Sequence, residues 1–140
     1  EKKNKLTFLK TYSEFSKRVE YSRDQLINFL KKIKKNNKVI IGYGASTKGN
    51  VILQYCNIGA DLLPFIVEVN EEKYGKFTPG TKIPIISEKE AYKLKPDYYL
   101  ILPWHFKQMI IRKEKKFINK GGKLVFPLPR LEIVGKNKKI

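Results

Sequence analysis

The stretch "KVIIGYGASTKGNVILQYC", Lys38 to Cys56, decides the fold. An apolar run ends in a glycine-rich turn that carries a lysine, and the chain then becomes amphipathic with helical spacing. "VIIGYG" reads as a buried strand, bounded by lysine before and glycine after. Ala45 to Tyr55 reads as a helix in which Val51, Ile52 and Tyr55 face a sheet.

The pattern repeats outward from there. "NIGADLL" closes the helix and leads into a second strand, "PFIVEV". A turn-rich loop, "NEEKYGKFTPGTKIPII", follows, with Pro79-Gly80 as its turn and a short strand at Ile83 to Ile86. Ser87 and Glu90 form a capping-box signature for the helix "EKEAYKLK". Pro96-Asp97 ends that helix and opens the strand "YYLILP". "WHFKQMIIRKEKKFINKGG" is expected to be one helix with Phe106, Met109, Ile110, Lys113 and Phe117 on one side, stopped by glycines. The prolines of "KLVFPLP" mark the last strand as an edge or an exit from the sheet. Strands alternating with helices of this length predict an α/β fold: a mainly parallel, doubly wound sheet with helices on both faces.

Before this series, Phe8, Tyr12, Phe15, Val19, Leu26, Phe29, Leu30 and Ile33 step by three or four, or by seven across Ser22. They form one face of a long amphipathic helix, although Ser22 with Gln25 offers a capping box that would restart it. The expected organisation is a linker and long helix packed on the domain over 1–35, an α/β domain over 36–134, and a basic tail over 135–140.

With 140 residues, 41% of them apolar, the chain has enough material for one domain and one core. Cys56 is the only cysteine and His105 the only histidine, so no intrachain disulfide and no Cys/His metal site can form. Cys56 reads as a small buried apolar residue. No apolar run approaches the ~18 residues of a membrane span, and the N-terminus lacks a signal-peptide pattern, which makes the cytoplasm the default expectation. The missing initiator Met leads us to expect a piece of a longer protein. The formal charge of +17 suggests an anionic partner. However, only Arg18, Arg23, Arg112 and Arg130 are arginines, and the lysines are scattered in runs such as "KKIKKNNK" and "GKNKK". Such runs read as solvated faces, so neither a nucleic-acid nor a membrane partner is expected.

In a parallel sheet of this kind ligands lie beyond the carboxyl ends of the strands. Gly42 to Lys48, Glu68 to Asn70, and Pro103 to His105 should therefore rim one cleft. Gly42-x-Gly44 begins a dinucleotide fingerprint, but Thr47 stands where the third glycine belongs. As a phosphate loop, Gly44-x-x-x-x-Gly49 is followed by Asn50 and Val51 instead of Lys and Ser/Thr. Both patterns fail, but the physics beneath them remains. Gly42, Tyr43, Gly44, Ala45, Ser46, Thr47 and Lys48 bring backbone N–H groups, two hydroxyls and a charge to a helix N-terminus, where an anion is favoured. Gly49 is the expected point of close helix–strand packing. Glu68, just over ~20 residues further on, is placed to take a ribose hydroxyl. Trp104 and His105 can reach the cleft mouth; the plainer reading is that Trp104 packs on the helix and His105 sits in its first turn. Lys73 and Tyr74 lie on the long loop, a candidate lid or linker. No paired carboxylates and no hydroxyl–imidazole pair point to catalysis, so no catalytic residue and no metal ligand is assigned.

The segments "GYGASTKGNVILQYC", "NEEKYGKFTPGTKIPI", "PDYYLILPWHF" and "GGKLVFPLP", in that order, resemble the C-terminal domain of S-adenosylmethionine-dependent C-methyltransferases that act on nucleotide-linked deoxysugars. The resemblance runs from about Tyr12 to Val134. It implies a Rossmann-like domain preceded by a zinc-binding domain and a methyltransferase domain, and the latter would carry S-adenosylmethionine (SAM) and the catalytic base. On that resemblance, Ser46, Thr47 and Lys48 contribute to the sugar-nucleotide side of the cleft, with Tyr74, Trp104 and His105 nearby. No cofactor is expected on this domain itself, and its first helix is expected to pack on the catalytic domain. Glu68 stands where the family pattern leads us to expect aspartate. The competing reading is an NAD-type dinucleotide-binding domain of an oxidoreductase, from Gly42-x-Gly44 and Glu68.

Overall fold

The computed structural model describes residues 2–136, so residues 137–140 of the expected basic tail lie outside the described residues. The chain is mixed α/β. A helix, α1 (Lys2–Lys35), is followed by β1 (Ile40–Tyr43), α2 (Thr47–Tyr55), β2 (Ile66–Val67), β3 (Ile85–Ile86), α3 (Glu88–Lys93), β4 (Tyr98–Ile101), α4 (Lys107–Lys113), α5 (Lys115–Asn119), β5 (Lys123–Phe126) and β6 (Glu132–Val134). The six strands lie in the order β3-β2-β1-β4-β5-β6. All neighbours are parallel except β5 and β6. After β3 the chain crosses back over β1 to lay β4 on its other side, so the order reverses between β1 and β4.

Strand alternation gives the sheet two apolar faces. Ile40, Ile66, Leu100 and Val125 pack with Leu26, Leu30 and Ile33 of α1 and Leu53 of α2. On the opposite face, Ile41, Val67 and Ile86 meet Ala91 of α3, while Ile101, Leu124 and Phe126 meet Ile110 of α4 and Ile118 of α5. Each fully buried aliphatic side chain in such a core contributes about 1.5–3 kcal/mol. Asp97 ties the entry ends of three strands together. Its carboxylate accepts the Val39 N–H at 2.8 Å, its own N–H donates to the Val39 carbonyl at 2.8 Å, and its carbonyl accepts the Lys123 N–H at 3.0 Å.

Several expectations are corrected. Helix α1 does not restart at Ser22; the Gln25 amide donates to the Tyr21 hydroxyl at 2.9 Å and caps nothing. The helix expected after Trp104 begins as a 3-10 turn, Trp104–Phe106, and breaks again at Glu114, whose carboxylate accepts the Tyr43 hydroxyl at 2.7 Å. Phe106 and Met109 are consequently exposed, while Ile110 and Ile118 are buried. Strand β5 is not an edge, because β6 returns antiparallel to cover it and Lys107 pairs with Glu132; Pro127 and Pro129 follow its last residue, as the exit alternative had it. The long loop between β2 and β3 is not a loose lid. Gly75 and Lys76 bond to Ile85, and the buried Thr78 accepts the Ile83 N–H through its hydroxyl at 2.9 Å.

Gly49 packs as expected: a Cβ there would lie 2.5 Å from Leu102 Cβ, so α2 rests directly on the chain leaving β4. Gly49→Ala must push the helix off the sheet and should cost about 1–3 kcal/mol, read as a lowered urea midpoint with unchanged slope.

Candidate functional site

The turn between β1 and α2 stands where the strand order reverses. Gly44 takes φ +82, a left-handed conformation that glycine adopts without penalty, and its Cα faces Pro103 across the reversal; an added Cβ would lie 3.0 Å from the proline Cδ. Gly42 is a packing position, since a Cβ there would come 2.8 Å from Ile66 Cγ1. Ser46 is the helix N-cap and its hydroxyl accepts the Gly49 N–H at 3.0 Å. The N–H groups of Thr47 and Lys48 have no acceptor among the described residues. Both of these residues are exposed.

Glu68, at the end of β2, reaches into the turn. Its Oε1 accepts the Ala45 N–H at 3.0 Å, and its Oε2 accepts the N–H groups of Val69 at 2.8 Å and Asn70 at 2.9 Å. Lys73 Nζ lies 3.7 Å from the same carboxylate and donates to the Ala45 carbonyl at 2.8 Å. Only 11% of the Glu68 side chain remains exposed. Burial on its own would raise its pKa. The N–H bonds from Asn70 and Ala45, the Lys73 charge and the Val69 N–H outweigh burial and hold the pKa below the ordinary glutamate value. Part of the backbone anion cradle is therefore already filled, by a carboxylate of the chain itself.

The expected rim is thus partly assembled. Gly44, Ala45, Ser46, Glu68 and Pro103 are brought together, with Lys73 as an unforeseen member. Tyr43 is not at this rim. It turns to the other face, donates to Glu114 and stands edge-on to Tyr99 at 5.4 Å; burial first, then the Glu114 bond, raises its pKa. Tyr74 is half-buried just after the 3-10 turn Glu71–Lys73. Trp104 packs against the core beneath α4 and α5, and the exposed His105 ring sits 4.2 Å from Phe106, in line with the plainer reading. Asn50, one turn into α2, has a buried side-chain oxygen with no hydrogen-bond partner. Its position directly after Gly49 was the only clue in the sequence. Among the described residues no group of three or more His, Cys, Asp and Glu is arranged to hold a metal ion, and no helix is long and apolar enough to cross a membrane.

The comparisons with known proteins point one way. A family model described as the C-methyltransferase C-terminal domain matches residues 1–129. A C-methyltransferase, NovU, of Streptomyces niveus is 36% identical over 123 residues, covering 88% of this chain and 29% of that protein. The chain therefore spans less than a third of the length of this relative.

Because the Glu68 pKa is depressed in the folded state, its contribution to stability is present above the unfolded glutamate value of ~4.3 and is lost as pH falls through the lower folded value. Glu68→Gln should be less stable at neutral pH and flatter across the acid range, as measured by urea unfolding between the two regimes.

Proposed function

This chain belongs to the C-methyltransferase C-terminal domain family, and from that premise we propose that it holds the substrate of a SAM-dependent enzyme methylating a carbon of a nucleotide-linked sugar. The fold is then a Rossmann-like, doubly wound sheet, and the strand-order reversal between β1 and β4 supports this. SAM and the catalytic base belong to a methyltransferase domain outside this chain, and the glycine turn faces the substrate's phosphates. The observation that carries the reading is the pair of open N–H groups, Thr47 and Lys48, on the first turn of α2 at that reversal, with the Lys48 ammonium alongside.

Within this reading Glu68 is a positioning residue. Three backbone N–H groups occupy its carboxylate, which leaves it poorly placed to grip a ribose. The same engagement removes the main support for the dinucleotide alternative. Thr47 and Lys48 supply the anion contacts.

Titration of dTDP into the 15N-labelled chain tests the proposal. The amide signals of Thr47 and Lys48 should shift most, with Ala45, bound to Glu68, shifting less. Lys48→Ala should weaken binding about tenfold or more, the lower end of the ~1.5–3 kcal/mol expected for a charged hydrogen bond. Unmoved Thr47 and Lys48 signals at millimolar dTDP would overturn phosphate binding by the turn, and a preference for NAD over dTDP would restore the dinucleotide alternative.

A further inference from the structure

One stripe of helix α1 follows a four-three alternation, interrupted only at Ser22, while Leu6, Leu9, Tyr21, Ile27 and Leu30 lie beside it. Phe8, Tyr12, Phe15 and Val19 are followed, in register through Ser22, by Leu26, Phe29 and Ile33. This 3.5-residue repeat is the seam of a helix that packs lengthwise on another helix. The second half of the seam is used inside the domain: Leu26 and Ile33 are buried, and Phe29 stands edge-on to Tyr98 at 5.7 Å. The first half is bare, with Phe8 67%, Tyr12 63% and Phe15 56% exposed. Where the halves meet, a groove of ≈ 640 Å3 opens between α1, α2 and the segment after β5, lined by apolar side chains such as Val19, Val51 and Leu128.

Charge selects what can lie there. The positions flanking the bare seam hold Leu9, Thr11, Ser16, Arg18 and Arg23, and no acid. The acids of α1 in the described chain, Glu14, Glu20 and Asp24, fall on heptad positions away from the seam. Arg18, Arg23 and Arg130, three of the chain's four arginines, line the groove. Arg18 and Arg130 make no ion pair among the described residues, and Arg23 pairs only with its neighbour Asp24, at 3.3 Å, while its guanidinium lies over the Tyr55 ring at 5.7 Å. A second copy laid on this seam would set Arg18 against Arg23 in a parallel pair, or, in an antiparallel one, Arg18 or Arg23 against its own copy according to register. Like charges at these positions oppose pairing, whereas carboxylates there meet guanidinium groups bidentately. We propose that the bare half of α1 and the adjoining groove dock an amphipathic helix whose apolar seam is flanked by Asp or Glu. No residue of the glycine turn lines the groove, although Trp104 does, so a seam variant that leaves Trp104 untouched separates this inference from the ligand assigned to that turn.

The test uses the full 140-residue chain and two synthetic helical peptides of roughly three heptads with leucine seams, one flanked by glutamate and one by lysine. Calorimetry should show the glutamate peptide binding at least ~10-fold more tightly than the lysine peptide, with a preference that shrinks as salt rises. The double variant Phe8→Ser, Phe15→Ser should lose this binding while keeping its melting temperature, because both side chains are exposed; Arg18→Gln should cut the charge preference. Equal affinity for the two peptides, binding untouched by the double variant, or a dimer in sedimentation that the double variant dissolves would overturn the proposal. The dTDP titration of the double variant should match that of the parent chain, which separates failure here from failure of the phosphate reading.

Discussion

One carboxylate holds the strand-order reversal of this domain in shape. Glu68 leaves β2 and accepts N–H groups from two loops, while Lys73, further along the second of them, bonds the carbonyl of the same turn that Glu68 holds by its amide. A carboxylate this shielded survives only if its lost hydration is replaced, and here three backbone donors and an ammonium replace it. The exchange works in both directions. The turn after β1 would otherwise leave the Ala45 N–H buried and unpaired, and Ala45 is among the buried residues. The shape of the glycine turn is thus fixed by the end of β2 and the loop beyond it, and only the next two amides remain open.

That division explains how far the sequence could be read. The strand–turn–helix unit from Lys38 to Cys56, the cap at Ser87 and the strand after Asp97 follow from local chemistry, and they stand where that chemistry puts them; the helix begins at Thr47, two residues later than expected, with Ser46 as its cap. What escaped is long-range. Strand β6 is only three residues long, too short to announce itself, and pairs along the edge that β5 offers. The break at Glu114 accompanies a bond from Tyr43, 71 residues away in the chain. The same limit applies at the site. A strand-end acid after a glycine turn was legible as a functional candidate, but its capture by Ala45, 23 residues upstream, depends on how β1 and β2 pair. Lys73 was visible only as a loop residue.

The close seat of α2 matters for the same reason. Gly49 against Leu102 and Gly44 against Pro103 bring the chain leaving β1 and the chain leaving β4 into direct contact at the reversal. A donor pair on the first turn of α2 is therefore carried by a closely packed part of the fold, which fits the ligand role proposed for it. Preorganisation of this kind lowers the entropy lost on binding, although it adds nothing to the chemistry of a reaction.

Helix α1 has a consequence of a different kind. From Lys2 to Phe15 it projects as an uninterrupted rod of roughly 20 Å, anchored at its far end by Leu26, Leu30 and Ile33. A rod anchored at one end acts as a protractor as well as a ruler. Adding a single residue between Val19 and Leu26 would rotate everything on the free end by about 100° and advance it by only about 1.5 Å, whereas adding seven would nearly restore its heading and carry it about 10 Å further out. Spacing in this helix is thus constrained by angle far more tightly than by length, even where its side chains touch nothing in their own domain.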